Sequence, residues 1–159
     1  MKQQINSFIF SVLAIMMVLG VAFFVPGSIN KTENGDNIAY AATVYKSPTC
    51  ECCDEYIEYL KANGVDVTVE ITDDMAAVKE NNQIPESMTS CHTTVMNDYF
   101  FEGHIPFDVM TQMMSEHMDI DGIALPGMPA GSPGMPGEKI EMFEIHKLVH
   151  GEASPYINY

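Results

Sequence analysis

The sequence contains no arginine and has few positive charges of any kind. Its 159 residues carry 7 lysines against 22 aspartates and glutamates, for a formal net charge of -15. Phosphate backbones repel such a chain, because nucleic-acid binding depends on contacts from lysine and arginine. The composition therefore excludes nucleic acid as a partner. An acidic surface instead attracts cations and basic proteins, or simply keeps the domain soluble.

Cysteine is also scarce, and its distribution is uneven. Three of the four cysteines, Cys50, Cys52 and Cys53, lie within four consecutive positions, while Cys91 follows later and directly precedes His92. Two structural disulfides are common in exported domains, but the adjacent Cys52 and Cys53 make two relaxed bridges awkward. The spacing also matches neither ferredoxin pattern, which disfavours an iron–sulfur cluster. If the fold places Cys91 close to the other three cysteines, the four side chains form one sulfur-rich site.

No charged residue occurs between Phe8 and Val25, and the run is almost wholly apolar. It is long enough to cross a bilayer, which takes ~17 to 25 residues. It exceeds the ~7 to 15 apolar residues of an ordinary signal peptide. Because Lys2 is the only positive charge on its N-terminal side, we expect the N-terminus to stay in the cytoplasm and everything after Val25 to be exported.

Three regions follow from this pattern. We expect residues 1–27 to form a transmembrane anchor or signal segment, residues 28–42 a flexible linker, and residues 43–159 the domain. The sequence Ala39-Tyr40-Ala41 fits a cleavage site, so the apolar segment is either retained or removed. We expect an extracytoplasmic location, periplasmic or on the cell surface. The protein is then anchored to the membrane through residues 8–25 or secreted after cleavage.

Hydrophobic periodicity predicts the elements of the domain. First come a β-prone run at Thr43–Tyr45, an amphipathic helix at Glu51–Asn63 ended by Gly64, and a strictly alternating strand at Val65–Ile71. A second helix at Thr72–Asn82, a hairpin at Thr93–Glu102 and a third helix at Ile105–Met118 follow. This order predicts an α/β domain with a central mixed sheet, flanking helices and a parallel first pair of strands. A cysteine-rich turn between the first strand and the first helix is typical of thioredoxin-like domains.

The tail changes character at Leu125–Gly137, which is rich in proline and glycine. Such a stretch forms neither regular helix nor regular strand, so we expect an ordered surface loop or a mobile flap. Met128 and Met135 have little core to bury them there, so they either face a metal or serve in a lid. Four other methionines fall at helical spacing and are expected to be core residues: Met110, Met113, Met114 and Met118.

Thiols near a helix N-terminus are stabilised as thiolates, the form that binds metals and attacks disulfides. Soft sulfur ligands favour copper(I) or zinc. The 13 methionines add thioethers suited to copper outside the cytoplasm. Zinc would fit a tetrahedral set of Cys50, Cys52 or Cys53, Cys91 and His92. Metal-free thiol exchange by Cys50 and Cys53 is a third alternative.

Histidines are candidates to complete such a site. His92 follows Cys91 directly and is a candidate ligand. His104 precedes the third helix, where it either caps that helix or binds the metal. The remaining three histidines are expected to be solvated: His117, His146 and His150.

Five motifs, in register from Thr43 to Glu138, resemble the CopG-like family of exported copper-resistance proteins, which are distinct from the ribbon-helix-helix repressors of the same name. The motifs are Val44–Cys53, Thr72–Met75, Ser90–Thr93, Glu102–Pro106 and Leu125–Met135. The resemblance implies a thioredoxin-like domain that binds copper through its C-x-C-C cysteines and acts in copper resistance. It also implies a part in changing the oxidation state of copper, so a copper oxidoreductase is the enzymatic alternative to a metal-binding protein.

The resemblance also assigns the site residues. Cys50, Cys52 and Cys53 match the copper-binding motif, and Cys91 with His92 matches the Ser-Cys-His-Thr run of the family. His104 and Met128 match the remaining motifs. Glu51 stands where many relatives have glycine, and its negative charge favours cation binding.

We therefore expect an exported copper(I)-binding protein that sequesters, transfers or changes the redox state of copper. Its partners are the metal ion and other exported copper-handling proteins. The alternatives are a thiol-disulfide oxidoreductase of exported proteins that uses Cys50 and Cys53, and a zinc-stabilised scaffold.

Overall fold

The computed structural model describes residues 40–159. The predicted anchor or signal segment, residues 1–27, lies outside these residues, as does most of the predicted linker at 28–42. Within residues 40–159, no helix combines the length and the apolarity that a bilayer crossing requires.

The described residues form one mixed sheet with helices. The strands are β1 (Ala41–Lys46), β2 (Asp66–Ile71), β3 (His92–Met96), β4 (Tyr99–Glu102), β5 (Gly122–Ala124), β6 (Glu144–Val149) and β7 (Glu152–Asn158). The helices are α1 (Glu51–Ala62), α2 (Met75–Asn81) and α3 (Phe107–Ser115), and a short 3-10 helix at Glu86–Met88 precedes β3. The strand order is β2-β1-β3-β4-β5-β6-β7. The predicted α/β domain with a mixed sheet is thus confirmed.

The pairing of the strands follows from their connections. Strands β1 and β2 are parallel, as predicted, because α1 carries the chain back between them. Strands β3 and β4 form the predicted antiparallel hairpin, with Asn97 at φ 54 in its tight turn. Strand β3 also pairs antiparallel with β1, so that Lys46 at the end of β1 lies opposite His92 at the start of β3.

Helix α1 forms where the apolar spacing predicts it. Cys53, Tyr56, Ile57 and Leu60 are buried on one face, and Gly64 at φ 82 ends the helix in the left-handed conformation. Helix α3 likewise buries its predicted apolar side, which comprises Val109, Met110, Met113 and Met114. Both helices contribute to one core cluster, together with apolar residues of β1, β4 and β5.

The start of α2 differs from the sequence-based prediction. The N-cap is Asp74, whose side chain accepts a hydrogen bond from the Ala77 N–H at 3.0 Å. Thr72, where the sequence predicted the helix to start, instead accepts the Asp74 N–H at 3.0 Å through its hydroxyl. Three adjacent residues with capping side chains made the choice ambiguous.

Three strands lie where no strand was predicted: β5, β6 and β7. They extend the sheet beyond the β3–β4 hairpin, with β5 parallel to β4 and the β6–β7 hairpin antiparallel to β5. Strand β1 also starts at Ala41 rather than Thr43, and Ala42 is buried within it. The Leu125–Gly137 loop packs against α1 at Gly134, and two of its residues, Leu125 and Ser132, are buried.

Candidate metal centre

The turn between β1 and α1 holds the first three cysteines. Cys50 is the N-cap of α1, in an extended conformation, and its N–H donates to the Ser47 carbonyl at 3.3 Å. Cys52 and Cys53 belong to the first turn of the helix. The buried Lys46 ammonium at the end of β1 pairs with the Asp54 carboxylate, which ties the strand to the same helical turn.

Cys91 reaches these cysteines because β1 and β3 are antiparallel. The C-terminal end of β1 lies beside the N-terminal end of β3, so the residue that precedes β3 arrives at the β1–α1 turn. The Cys52 Sγ lies 3.7 Å from the Cys91 Sγ and 3.6 Å from the Cys50 Sγ. All four sulfurs, Cys53 included, lie within 4.8 Å of one another. We call Cys50, Cys52, Cys53 and Cys91 the cysteine group.

The cysteine group contains one disulfide, between Cys50 and Cys53, and the thiols of Cys52 and Cys91 are free. The bridged cysteines are the C-x-x-C pair named above as the exchanging pair. Two disulfides were judged awkward for this spacing, and the described chain forms one. The cysteine group therefore offers two thiols in this state and four after reduction.

Two histidines adjoin Cys91. The His104 Nε2 lies 3.3 Å from the Cys91 Sγ, and the His92 Nδ1 lies 3.4 Å from the same sulfur. The His104 Nδ1 is 2.7 Å from the Pro133 carbonyl oxygen. A carbonyl only accepts, so Nδ1 carries the proton and Nε2 presents its lone pair toward the thiol. Both rings are fully buried, and His104 does not cap α3, because the N-cap of that helix is Pro106 and receives no side-chain bond.

The environment sets the protonation of these groups. Burial lowers the pKa of His104, and burial, with smaller effects from the neighbouring His104 and Lys79, holds the pKa of His92 well below its usual range. Both rings are therefore neutral, the form that binds metals. Burial and the adjacent Cys52 raise the pKa of Cys91 to about 12. A metal that binds Cys91 must therefore displace its proton.

Tyr56, on the buried face of α1, is a neighbour of the site. Its ring centroid lies 4.5 Å from that of His92 and 5.3 Å from that of His104. Its hydroxyl donates to the Ile105 carbonyl at 2.8 Å, which fixes the ring beside the two imidazoles, whose own centroids are 4.8 Å apart. The His92 Nε2 has no hydrogen-bond partner within residues 40–159. A buried imidazole nitrogen without a protein hydrogen-bond partner has its ligand-binding capacity free for a metal ion.

The proline- and glycine-rich loop contributes backbone rather than side-chain atoms to the site. Pro133 supplies the carbonyl that orients His104. A Cβ added to the next residue, Gly134, would lie 2.7 Å from the Tyr56 backbone nitrogen, so the loop packs directly on α1. Met128 lies on the same loop with 39% of its surface exposed and φ 46.

The structure therefore brings most, but not all, of the predicted site residues together. The structure brings together the cysteine group, His92 and His104, whereas Met128 lies at the surface. Of the histidines expected to be solvated, His117 and His150 are exposed and His146 is partly buried. The Pro133 carbonyl could not be found from sequence, because a backbone acceptor has no residue-type signal.

Known proteins resemble this chain. Two solved structures of the copper resistance protein CopG, Form 1 and Form 2, each share 40% sequence identity with it and have a TM-score of 0.70. Each alignment covers 76% of this chain and 98% of the solved chain. The profile of DUF411, a family of proteins of unknown function, matches residues 88–135, which include Cys91, His92, His104 and Met128. No curated protein matches the chain.

Proposed function

The chain belongs to the CopG family of copper resistance proteins, and on that premise we propose that it binds copper(I) through the cysteine group. The observation that carries the proposal is the convergence of four sulfurs from two distant parts of the chain. Soft thiolates are the ligands that favour copper(I). The role is copper resistance, by sequestration, transfer or redox handling of the metal.

The spacing of the sulfurs suits shared coordination. Two thiolates bound to one tetrahedral zinc ion at ~2.3 Å stand about 3.8 Å apart. The Cys52 sulfur lies 3.6 Å from that of Cys50 and 3.7 Å from that of Cys91, so small shifts suffice for two of them to share a metal ion. His104 fits the same purpose, because its Nδ1–H bond to a carbonyl is the arrangement that orients metal-binding histidines.

Full use of the cysteine group requires reduction. The Cys50–Cys53 disulfide must accept two electrons and two protons from an external dithiol before both sulfurs serve as ligands. In the oxidised state, Cys52, Cys91 and the two histidines remain available. Copper(I) capacity therefore depends on the redox state of the C-x-x-C pair.

The proposal extends to location and architecture. The protein is exported, with residues 1–27 as anchor or signal, the residues from 28 up to the start of β1 as linker, and a thioredoxin-like domain from β1 to residue 159. The order β1-α1-β2-α2-β3-β4-α3, with the C-x-x-C pair at the start of α1, supports the thioredoxin-like assignment. Met128 is a further thioether ligand, and other exported copper-handling proteins are the partners.

Anaerobic titration tests the proposed function. The reduced protein should bind one or more equivalents of copper(I) in competition with a chromophoric chelator. A variant with Cys50→Ser, Cys52→Ser and Cys53→Ser should lose this binding. Absence of binding by the reduced wild-type protein, or equal binding by the triple variant, would show that the proposal is wrong.

A second candidate function rests on the Cys50–Cys53 disulfide at the N-terminus of α1. A bridge at this position suits a thiol-disulfide oxidoreductase of exported proteins, because the helix end stabilises the leaving thiolate. Insulin reduction by the metal-free protein separates the two candidates, since a copper-binding protein without this activity turns over little insulin. Zinc bound by Cys50, Cys52 or Cys53, Cys91 and His92 is the third candidate, and elemental analysis with chelation-induced unfolding tests it.

A further inference from the structure

Glu102, the last residue of β4, is a fully buried carboxylate beside the metal centre. Its Oε1 accepts hydrogen bonds from the Ser90 backbone N–H and the Lys79 ammonium, both at 2.5 Å. Its Oε2 accepts the Thr93 hydroxyl proton at 2.6 Å. We call Lys79, Ser90, Thr93 and Glu102 the Glu102 network. Three donors, one of them charged, compensate the burial of this carboxylate.

Each carboxylate oxygen of Glu102 bonds to a residue next to the Cys91–His92 pair. Ser90 immediately precedes Cys91, and Thr93 immediately follows His92. Strand pairing places Glu102 opposite Thr93, and the Gly103 N–H donates to the His92 carbonyl at 3.1 Å. One carboxylate therefore binds the main chain directly before Cys91 and the side chain directly after His92.

We propose that Glu102 is a positioning residue for Cys91. Through Ser90 and Thr93 it holds the Cys91 sulfur at the distances seen from Cys52 and from His104, 3.7 and 3.3 Å. This inference rests on the proposed copper-binding function. Partners that orient metal ligands without touching the metal commonly change affinity by ~10- to 100-fold when they are lost.

Adjacent residues of β3 offer a matched pair of variants. Thr93 and Thr94 are both fully buried, but Thr93 donates to Glu102, whereas the Thr94 hydroxyl has no partner within residues 40–159. Valine has nearly the shape of threonine, so Thr93→Val and Thr94→Val each remove one hydroxyl from the same strand. Only the first change removes a bond of the Glu102 network.

The affinity of the reduced protein for copper(I), measured by chelator competition, tests the proposal. Thr93→Val should weaken binding by about tenfold, while Thr94→Val should leave it unchanged. Repeating both changes with Cys91→Ser gives a double-mutant cycle. The effect of Thr93→Val should then disappear, because the positioned sulfur is gone. A general loss of fold quality would lower affinity in both backgrounds.

Equal affinities for the two valine variants overturn the inference, as does a Thr93→Val effect that persists with Cys91→Ser. If the reduced wild-type protein binds no copper(I), the proposed function fails and a second readout decides the inference. The alkylation rate of Cys91 in reduced, metal-free protein, followed by peptide mass spectrometry, should then change several-fold in Thr93→Val relative to Thr94→Val. Equal rates would overturn the positioning role.

Discussion

The Nε2 atom of His104 lies 3.3 Å from the Sγ atom of Cys91. These residues stand at the two open ends of the β3–β4 hairpin, Cys91 just before β3 and His104 shortly after β4. Antiparallel pairing of the two strands brings them together. The Pro133 carbonyl orients the ring, so the unprotonated nitrogen faces the sulfur.

The first prediction concerns His104 as a ligand. His104→Gln should weaken metal binding by at least about tenfold, the effect that even outer partners of metal ligands have. His117→Gln is the control, since His117 is exposed. Competition titrations of both reduced variants with copper(I) measure the difference. If His104→Gln binds as tightly as His117→Gln, the ring is not a ligand.

The second prediction concerns the loop that packs on α1. Gly134 and Gly127 both have positive φ, at 77 and 80, but only at Gly134 would a Cβ meet a neighbour within 4 Å, the Tyr56 nitrogen at 2.7 Å. Alanine at either position carries the left-handed conformational cost of ~1–2 kcal/mol. Gly134→Ala adds a steric cost of ~1–3 kcal/mol.

Denaturant unfolding should therefore show a larger loss of stability for Gly134→Ala than for Gly127→Ala. The Gly134 variant should also release bound metal faster, because the loop carries the carbonyl that orients His104. Equal losses of stability in the two variants would mean that the loop does not pack on α1 as described.

The third prediction separates the ring of Tyr56 from its hydroxyl. Tyr56→Phe keeps the ring beside His92 but leaves the Ile105 carbonyl without its donor. Loss of such a buried hydrogen bond costs ~1–3 kcal/mol in stability. Thermal unfolding should show the loss, while copper(I) affinity should stay close to that of the wild type. A large fall in affinity would assign the hydroxyl a direct part in the site.

The fourth prediction tests Met128 as a thioether ligand. Met128→Leu retains an apolar side chain of similar volume but removes the sulfur. Affinity for copper(I) should fall, whereas affinity for zinc should not, because a thioether is a soft ligand. Met142→Leu is the control, with Met142 also exposed, at 64%. If Met128→Leu and Met142→Leu have the same copper(I) affinity, Met128 is not a ligand.

Strong local patterns explain what the sequence predicted of the fold. The apolar face of α1, the alternation in β2 and the Asn97-Asp98 turn each have a distinct periodicity or turn chemistry, and each element was found. Strand β5 has only three residues, and β7 contains Pro155, which argues against a strand. Tertiary pairing with β4 and β6 forms these strands despite their weak local signals.

The site was predictable only where residue type reveals chemistry. The clustered cysteines and the Cys91-His92 pair predicted a sulfur-rich site. The structure adds the choice of Cys50 and Cys53 as the bridged pair, and the backbone carbonyl of Pro133. It also adds Glu102. The sequence shows only that this residue follows a hydrophobic strand, and does not reveal that three hydrogen-bond donors surround its carboxylate. These features depend on chain segments that meet only in the folded state.

Whether the cysteine group binds copper(I) can be seen by X-ray absorption of the copper-loaded, reduced protein. We expect copper in the +1 state with sulfur dominating the first coordination shell. We also expect a measurable loss of sulfur scattering in Cys91→Ser, because Cys91 is the ligand brought in from the distant strand. A shell of nitrogen and oxygen alone, or a spectrum unchanged by Cys91→Ser, would contradict this expectation.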